Sequence, residues 1–346
     1  MKALRPLAAI LLANLLVMPA HAQSLIQPAE WQAYRDAFVE DSGRVVDTAN
    51  GGISHSEGQG YGLWLSVLAQ DRPSFERILS FTRTELMLRD DGLAAWRWEP
   101  DSEPHVPDTN NATDGDMLIA YALYQAGTLW SDEGYAEQAT SIVRTIGRTM
   151  ITMADGLPAI SPGALGFDGA DLGPVLNLSY WIFEALPVFG EIDPETDWSG
   201  IYQTGLEIAR RAAVTKAGLP PDWLTLDAGG LVPAPDFPPE FGYNNIRIPL
   251  YMMRAEIDPA YLGPYRRNAD AAGLYKINVR SGARIEPIGE PGYQLIRAAM
   301  ECVAAGTAVP EDLRTMSPTS YYAATLQLLL LDHLRRSHAE CLEGAG

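Results

Sequence analysis

Residues 110–127 read NNATDGDMLIAYALYQAG. A polar, acid-bearing entry gives way at Met117 to an apolar stretch at helical spacing, which is how a helix announces its start. The same periodicity recurs along the chain. Trp31, Tyr34 and Phe38 fall on one helical face, and similar patterns lie near 57–70, 72–88, 133–152, 176–189, 197–215, 242–256, 259–272, 291–304 and 317–336. That predicts roughly eleven or twelve helices. Alternating runs rich in Val, Ile and Thr are rare, and one candidate hairpin spans 274–286, turning at Ser281-Gly282. The connections alternate between short and long. Residues 89–112 carry Trp96 and Trp98, residues 155–175 are rich in Gly and Pro, and residues 217–241 hold six prolines. Long connections inside a compact unit are usually functional. Helices joined in this alternation suggest a closed double ring, with the long loops gathered at one end.

The N-terminus predicts export. Lys2 and Arg5 precede an apolar run from Leu7 to Val17, and Ala20-His21-Ala22 suits a cleavage site, so residues 1–22 read as a signal peptide. The run is too short to span a bilayer comfortably. Residues 23–346 then form the mature chain, expected in the periplasm or outside the cell with no membrane insertion. No linker or low-complexity stretch divides it, which favours one domain. The formal charge of −19 argues against nucleic acid and anionic membrane surfaces as partners. Cys302 and Cys341 are the two cysteines. They could pair in an oxidising compartment and pin the last helix, or stay as buried thiols. Neither CxxC nor HExxH spacing occurs, so no metal and no cofactor are expected.

Two segments could carry chemistry. In Gly52-Ile53-Ser54-His55-Ser56-Glu57-Gly58-Gln59-Gly60-Tyr61-Gly62, Ser54-x-x-Glu57 has the form of a capping box, which would make Glu57 a helix cap. The three glycines after it each weaken a helix by roughly 1 kcal/mol against Ala. A chain tolerates that where something must approach its backbone closely, and Glu57 would then project into a cleft. In the second segment Thr113-x-x-Asp116 again has capping form, while Asp114 sits in the first helical turn, favoured by the dipole and free to face a cleft. Trp96, Trp98, Tyr180, Trp181 and Trp223 lie in or beside the long loops. Each could belong to the core, but aromatics beside acids also suit a saccharide groove. Glycoside hydrolysis needs a protonated carboxylic acid and, usually, a second carboxylate.

The chain resembles glycoside hydrolase family 8, and within it the endoglucanases associated with bacterial cellulose synthesis. The resemblance runs through SHSEGQGYGLWLSVLAQ (54–70), AAWRW (94–98), NNATDGDMLIAYALYQAG (110–127), LNLSYWIFEALPVF (176–189), PDW (221–223), FGYNNIRIPLYM (241–252) and SYYAATLQLLLL (319–330). It implies an all-α (α/α)6 barrel with a substrate cleft at one end, and inverting, endo-acting cleavage of β-1,4-glucan. It also implies a partner in a cellulose synthase or export complex. By the same resemblance Glu57 is the general acid and Asp114 the acid that positions the sugar. Tyr243 and Arg247 match the family's Tyr-Asp-x-x-Arg segment, and Trp96 and Tyr180 match aromatic subsite positions. Asn244 stands where the family carries its Asp base. An amide is not a base at neutral pH. A relocated base is therefore expected at Asp236 or Glu240, with Asp168 and Asp171 as further candidates. Two other outcomes stay open: hydrolysis of a different β-linked exopolysaccharide or chitosan, and a non-catalytic glucan-binding protein on the same scaffold. Burial and the Asp114 charge are expected to outweigh the helix dipole and keep Glu57 protonated.

Overall fold

The computed structural model describes residues 25–169, 172–227 and 230–343. The expected signal peptide and Asp171 lie outside the described residues. Eleven α-helices occur among these residues: α1 Pro28–Phe38, α2 Ser56–Leu68, α3 Arg72–Phe81, α4 Thr113–Trp130, α5 Glu133–Thr149, α6 Leu186–Ile192, α7 Trp198–Arg211, α8 Ile248–Arg254, α9 Gly263–Arg267, α10 Pro291–Ala305 and α11 Tyr321–Ser337.

The helices fall into two kinds. Helix α5 is amphipathic and buries Tyr135, Ala139, Ile142, Val143 and Ile146 along one face. Helices α2, α4 and α11 are instead buried on nearly every side, α11 continuously from Ala323 to Leu334. A helix apolar all round needs neighbours all round. Here α2 packs on α4, α4 on the turn Leu178–Tyr180, that turn on Asn245–Arg247, this leads into α8, and α8 and α2 both pack on α11, so the inner ring closes. Amphipathic helices such as α3, α5 and α7 lie outside it, capped at their N-termini by Asp71, Asp132 and Asp197. The result is an (α/α)6 barrel.

Two predicted helices differ from expectation for local reasons. Residues 176–189 give only the short turn Leu178–Tyr180 before α6 begins. Asn177 accepts hydrogen bonds from the amide and hydroxyl of Ser179, which competes with helix formation, and Pro187 restarts the helix in its first turn. In 242–256 the first residues form the tight turn Asn245–Arg247, because Asp222 accepts the Gly242 and Asn245 amides. The predicted hairpin is present as Leu274–Asn278 against Arg284–Ile288, with Gly282 in the left-handed region at φ 75°. Glu240–Phe241 adds a third strand to it. Cys302 and Cys341 form a disulfide that ties the end of α10 to the C-terminal tail.

The long loops do converge at one end. Asn110 donates to the Leu165 carbonyl and accepts from the Leu165 amide. Trp223 stacks between Phe167, at 5.6 Å, and Phe237, at 4.7 Å. These contacts join all three loops over the N-terminal ends of α2, α4, α8 and α11.

Candidate active site

Helix α2 is not started by a capping box. His55 caps it, its Nδ1 accepting the Gly58 amide at 2.9 Å while Nε2 faces Asp47 at 3.4 Å. Ser54 turns inward and donates to the Val45 carbonyl at 2.6 Å. Glu57 is thereby released from capping. The glycines do mark a close backbone approach, and what approaches is helix α4. A Cβ at Gly60 would meet Leu118 Cβ at 2.6 Å, and one at Gly115 would meet Ser56 Cβ at 2.6 Å and the Glu57 amide at 2.7 Å. The crossing brings the first turns of α2 and α4 side by side, and with them Glu57 and Asp114.

Arg247 bridges the two acids. Nη1 lies 2.5 Å from Glu57 Oε2, and Nη2 lies 2.5 Å from Asp114 Oδ2 and 3.0 Å from Ser179 Oγ. Its guanidinium sits beneath Tyr180, 5.9 Å from the ring centre. Asp114 also accepts the Gly115 amide at 2.8 Å. Two carboxyls around one cation in a buried site cannot share the charge equally. Burial pushes Glu57 up, but the adjoining Arg247 and His55 outweigh it and hold it below its ordinary value. Burial, reinforced by the Glu57 charge against Arg247, pushes Asp114 up to about 6. The expectation that Glu57 is the raised member of the pair is thus not met: Asp114 is pushed up, while Glu57, against Arg247, is held down.

These groups floor an open cleft of about 650 Å³. Trp96, Tyr180, Trp223 and Tyr243 are among its aromatic walls, and Asp47 and Glu290 add two more carboxylates. Trp96 is held by its Nε1–H to Asp108 at 2.8 Å. Trp98 and Trp181 do not line it. Trp181 is fully buried and donates to the Ile201 carbonyl at 2.7 Å, and Trp98 packs on the Arg44 guanidinium. Asp116 also faces inward. It accepts the Ala94 amide at 2.8 Å and Asn111 Nδ2 at 2.9 Å, so it ties a loop to the edge of the core and does not cap the helix.

Asn244 faces the cleft, whereas Asn245 is buried and donates to the Pro220 carbonyl at 3.1 Å. Neither expected relocated base is there. Asp236 is exposed in its loop, and Glu240 is paired to Lys276 at 2.8 Å beside a strand contact. Asp168 is likewise exposed and off the cleft wall. The carboxylate directly behind Asn244 is Asp222. Its Oδ2 lies 3.4 Å from Asn244 Nδ2, and its Oδ1 accepts the Gly242 amide at 2.8 Å and the Asn245 amide at 3.3 Å. Burial pushes it up to about 6 despite those donors. The PDW segment, 221–223, already carried this residue, but no sequence spacing joins it to a position 22 residues later.

A model of the glycosyl hydrolases of family 8 matches residues 4–270. A probable endoglucanase of Novacetimonas hansenii is 36% identical over 308 residues, covering 87% of this chain and 89% of its own length. An endoglucanase of Cellulomonas uda is 36% identical over 266 residues, 76% of this chain and 72% of its own. Among solved structures, the endo-beta-1,4-glucanase CMCax of Acetobacter xylinum superposes with a TM-score of 0.80 at 33% identity, covering 90% of this chain and 98% of that one. A family 8 endoglucanase from Klebsiella pneumoniae gives 0.80 at 31% identity, with 89% and 99% coverage.

Proposed function

The chain belongs to glycosyl hydrolase family 8, and on that premise we propose that it is an endo-acting β-1,4-glucanase of the cellulase type, working with inversion. The observation that carries this reading is the open, aromatic-walled cleft with Glu57 and Asp114 joined by one guanidinium at its floor. An open cleft accepts a chain anywhere along its length, and flat rings support the apolar faces of successive sugars.

In the proposed mechanism Glu57 protonates the glycosidic oxygen. Its proton comes from Asp114. When sugar hydroxyls donate to Asp114, its ionised form is favoured and the proton passes across the hydrogen bond the two acids share. The attacking water is held by the Asn244 side chain. As the water oxygen bonds to the anomeric carbon, its proton goes to Asn244 Oδ1, and an Asn244 Nδ2 proton goes to Asp222 Oδ2. The imidic acid and the protonated Asp222 then return to amide and carboxylate by releasing one proton to solvent. Glu57 regains one. Support for this route is the 3.4 Å contact by which the Asn244 amide donates to the Asp222 carboxylate.

Residues 1–22 act as a signal peptide in this reading, leaving 23–346 as the catalytic chain outside the cytoplasm, beside a cellulose synthase or export complex. No helix among the described residues is long and apolar enough to cross a membrane.

Four carboxylates on one cleft would also suit a cationic glycan, so the deciding assay compares polymers. Reducing-sugar release by the mature protein is measured on carboxymethylcellulose, mixed-linkage β-glucan, xylan and chitosan. Release from the first two, with a rapid fall in viscosity, is expected. Chitosan as the preferred substrate would replace the glucan assignment, and binding without release from any polymer would make the chain a glucan-binding protein.

A further inference from the structure

At the end of the barrel away from the cleft, a second cluster of reactive side chains forms where α8 and α11 finish. Helix α11 runs to Ser337, with His333 in its last turn and His338 as its C-cap. Glu256 follows α8 by two residues, in the left-handed region at φ 52°. One donor atom from each of Glu256, His333 and His338 lies within 4.8 Å of the other two.

His333 is the telling member. Its ring is buried, 4% exposed, and its Nε2 has no hydrogen-bond partner. A buried polar atom left without a partner costs about 1–3 kcal/mol, so such atoms call for an explanation. The neighbours supply one. His338 Nε2 stands 3.9 Å from Glu256 Oε2, while His338 Nδ1 lies 3.3 Å from Glu340 Oε1. A carboxylate on one ring nitrogen fixes the tautomer and turns the other nitrogen outward as a lone pair, as in metal-bound histidines. Arg254 is nearby, but its charge is met by Glu184 at 2.5 Å and Asp332 at 3.1 Å. The C-terminal pole of α11 favours a cation as well.

We infer that Glu256, His333 and His338 form a binding site for a divalent transition-metal ion of the zinc class, completed by water. Two imidazoles and a carboxylate select zinc-like ions over calcium or magnesium. Tetrahedral bonds of about 2.0–2.1 Å put ligand atoms about 3.4 Å apart, so the donors must draw together by about 1 Å. Glu256 and His338 have room to do so, with side chains 59% and 23% exposed. The site would clamp the end of α11 to the end of α8, next to the tail already held by the Cys302–Cys341 disulfide. It plays no part in the cleft chemistry, so the glucanase reading neither supports nor needs it.

The test uses mature protein without an affinity tag, stripped with a chelator and titrated with Zn²⁺ alone by calorimetry. One ion per chain with a micromolar or tighter Kd is expected, and a hundredfold excess over Kd should raise Tm by about 3–5 °C. Glu256→Gln and His338→Ala, both on the surface, should each weaken binding at least tenfold. Hydrolysis of carboxymethylcellulose should be the same before and after stripping. Absence of stoichiometric binding, or binding that neither substitution weakens, would overturn the site.

Discussion

Arg247 sets the charge balance of the cleft at the scale of single residues. Both acids lie against its guanidinium, which helps hold Glu57 below its ordinary value while burial pushes Asp114 up. Glu57→Gln preserves shape but removes the transferable proton, so kcat on carboxymethylcellulose should fall by about 10²–10⁴-fold with KM little changed. Activity within a few-fold of the parent would remove Glu57 from the acid role. The Asp222 relay makes its own demand. Asp222→Asn should lower kcat by roughly 10²-fold and remove the acid limb of the pH–rate profile, below about pH 6, while leaving the basic limb set by Asp114. A purely structural Asp222 would alter stability and leave the pH profile in place. Asn244→Asp restores a direct base and should rescue the Asp222→Asn loss; no rescue would count against the relay.

The decisive feature among the elements is the crossing of α2 over α4. Gly60 and Gly115 allow it, because a Cβ at either would strike the opposite helix at 2.6 Å. Gly115→Ala would push against Ser56 Oγ, which can rotate, and against Ser56 Cβ at 2.6 Å and the Glu57 amide at 2.7 Å, which cannot. Overpacking of this kind costs about 1–3 kcal/mol. The variant should melt several degrees lower and lose activity out of proportion, since the displaced groups carry both acids. Wild-type activity in a destabilised Gly115→Ala protein would show that the helix spacing does not govern the site. The glycines were visible in the sequence as something approaching the backbone closely. What approached was not, because Gly60 and Gly115 belong to different helices. The capping-box form at Ser54 misled because the chain just before it folds back, and the Val45 carbonyl takes the Ser54 hydroxyl.

Buried acids tie the stability of the whole molecule to pH. Asp114 and Asp222 are pushed up to about 6 and Asp116 to about 7, all chiefly by burial. An unfolded chain ionises its aspartates near pH 3.9 while the folded one keeps these protonated, so stability is lost as pH rises from about 4 to 7. His333, pushed down to about 3 by burial, acts in the opposite sense below pH 6.5. The three acids outnumber it. Between pH 5.5 and 8 the net loss is about 2 kcal/mol, or about 3 °C in Tm for a chain of this size. Asp116 contributes most of it, so Asp116→Asn should flatten the dependence in a calorimetric series. A wild-type Tm that rises across that window would contradict the burial of these carboxyls.

Periodicity and apolar runs marked most of the helices and their alternation with long loops, because a helix repeats its burial pattern every few residues along the chain itself; the (α/α)6 barrel was implied by the family resemblance. Motif resemblance gathered Glu57, Asp114, Arg247, Tyr180 and Trp96 in advance, and these do meet in one cleft. The tertiary structure decided what depends on distance through space. It put Asp222 behind Asn244 in place of Asp236 or Glu240, pushed Asp114 up while Glu57 was held down, and set His333 and His338 beside Glu256. Charge and desolvation act over a few ångströms of folded space, and those ångströms join residues that the sequence keeps tens to hundreds of positions apart.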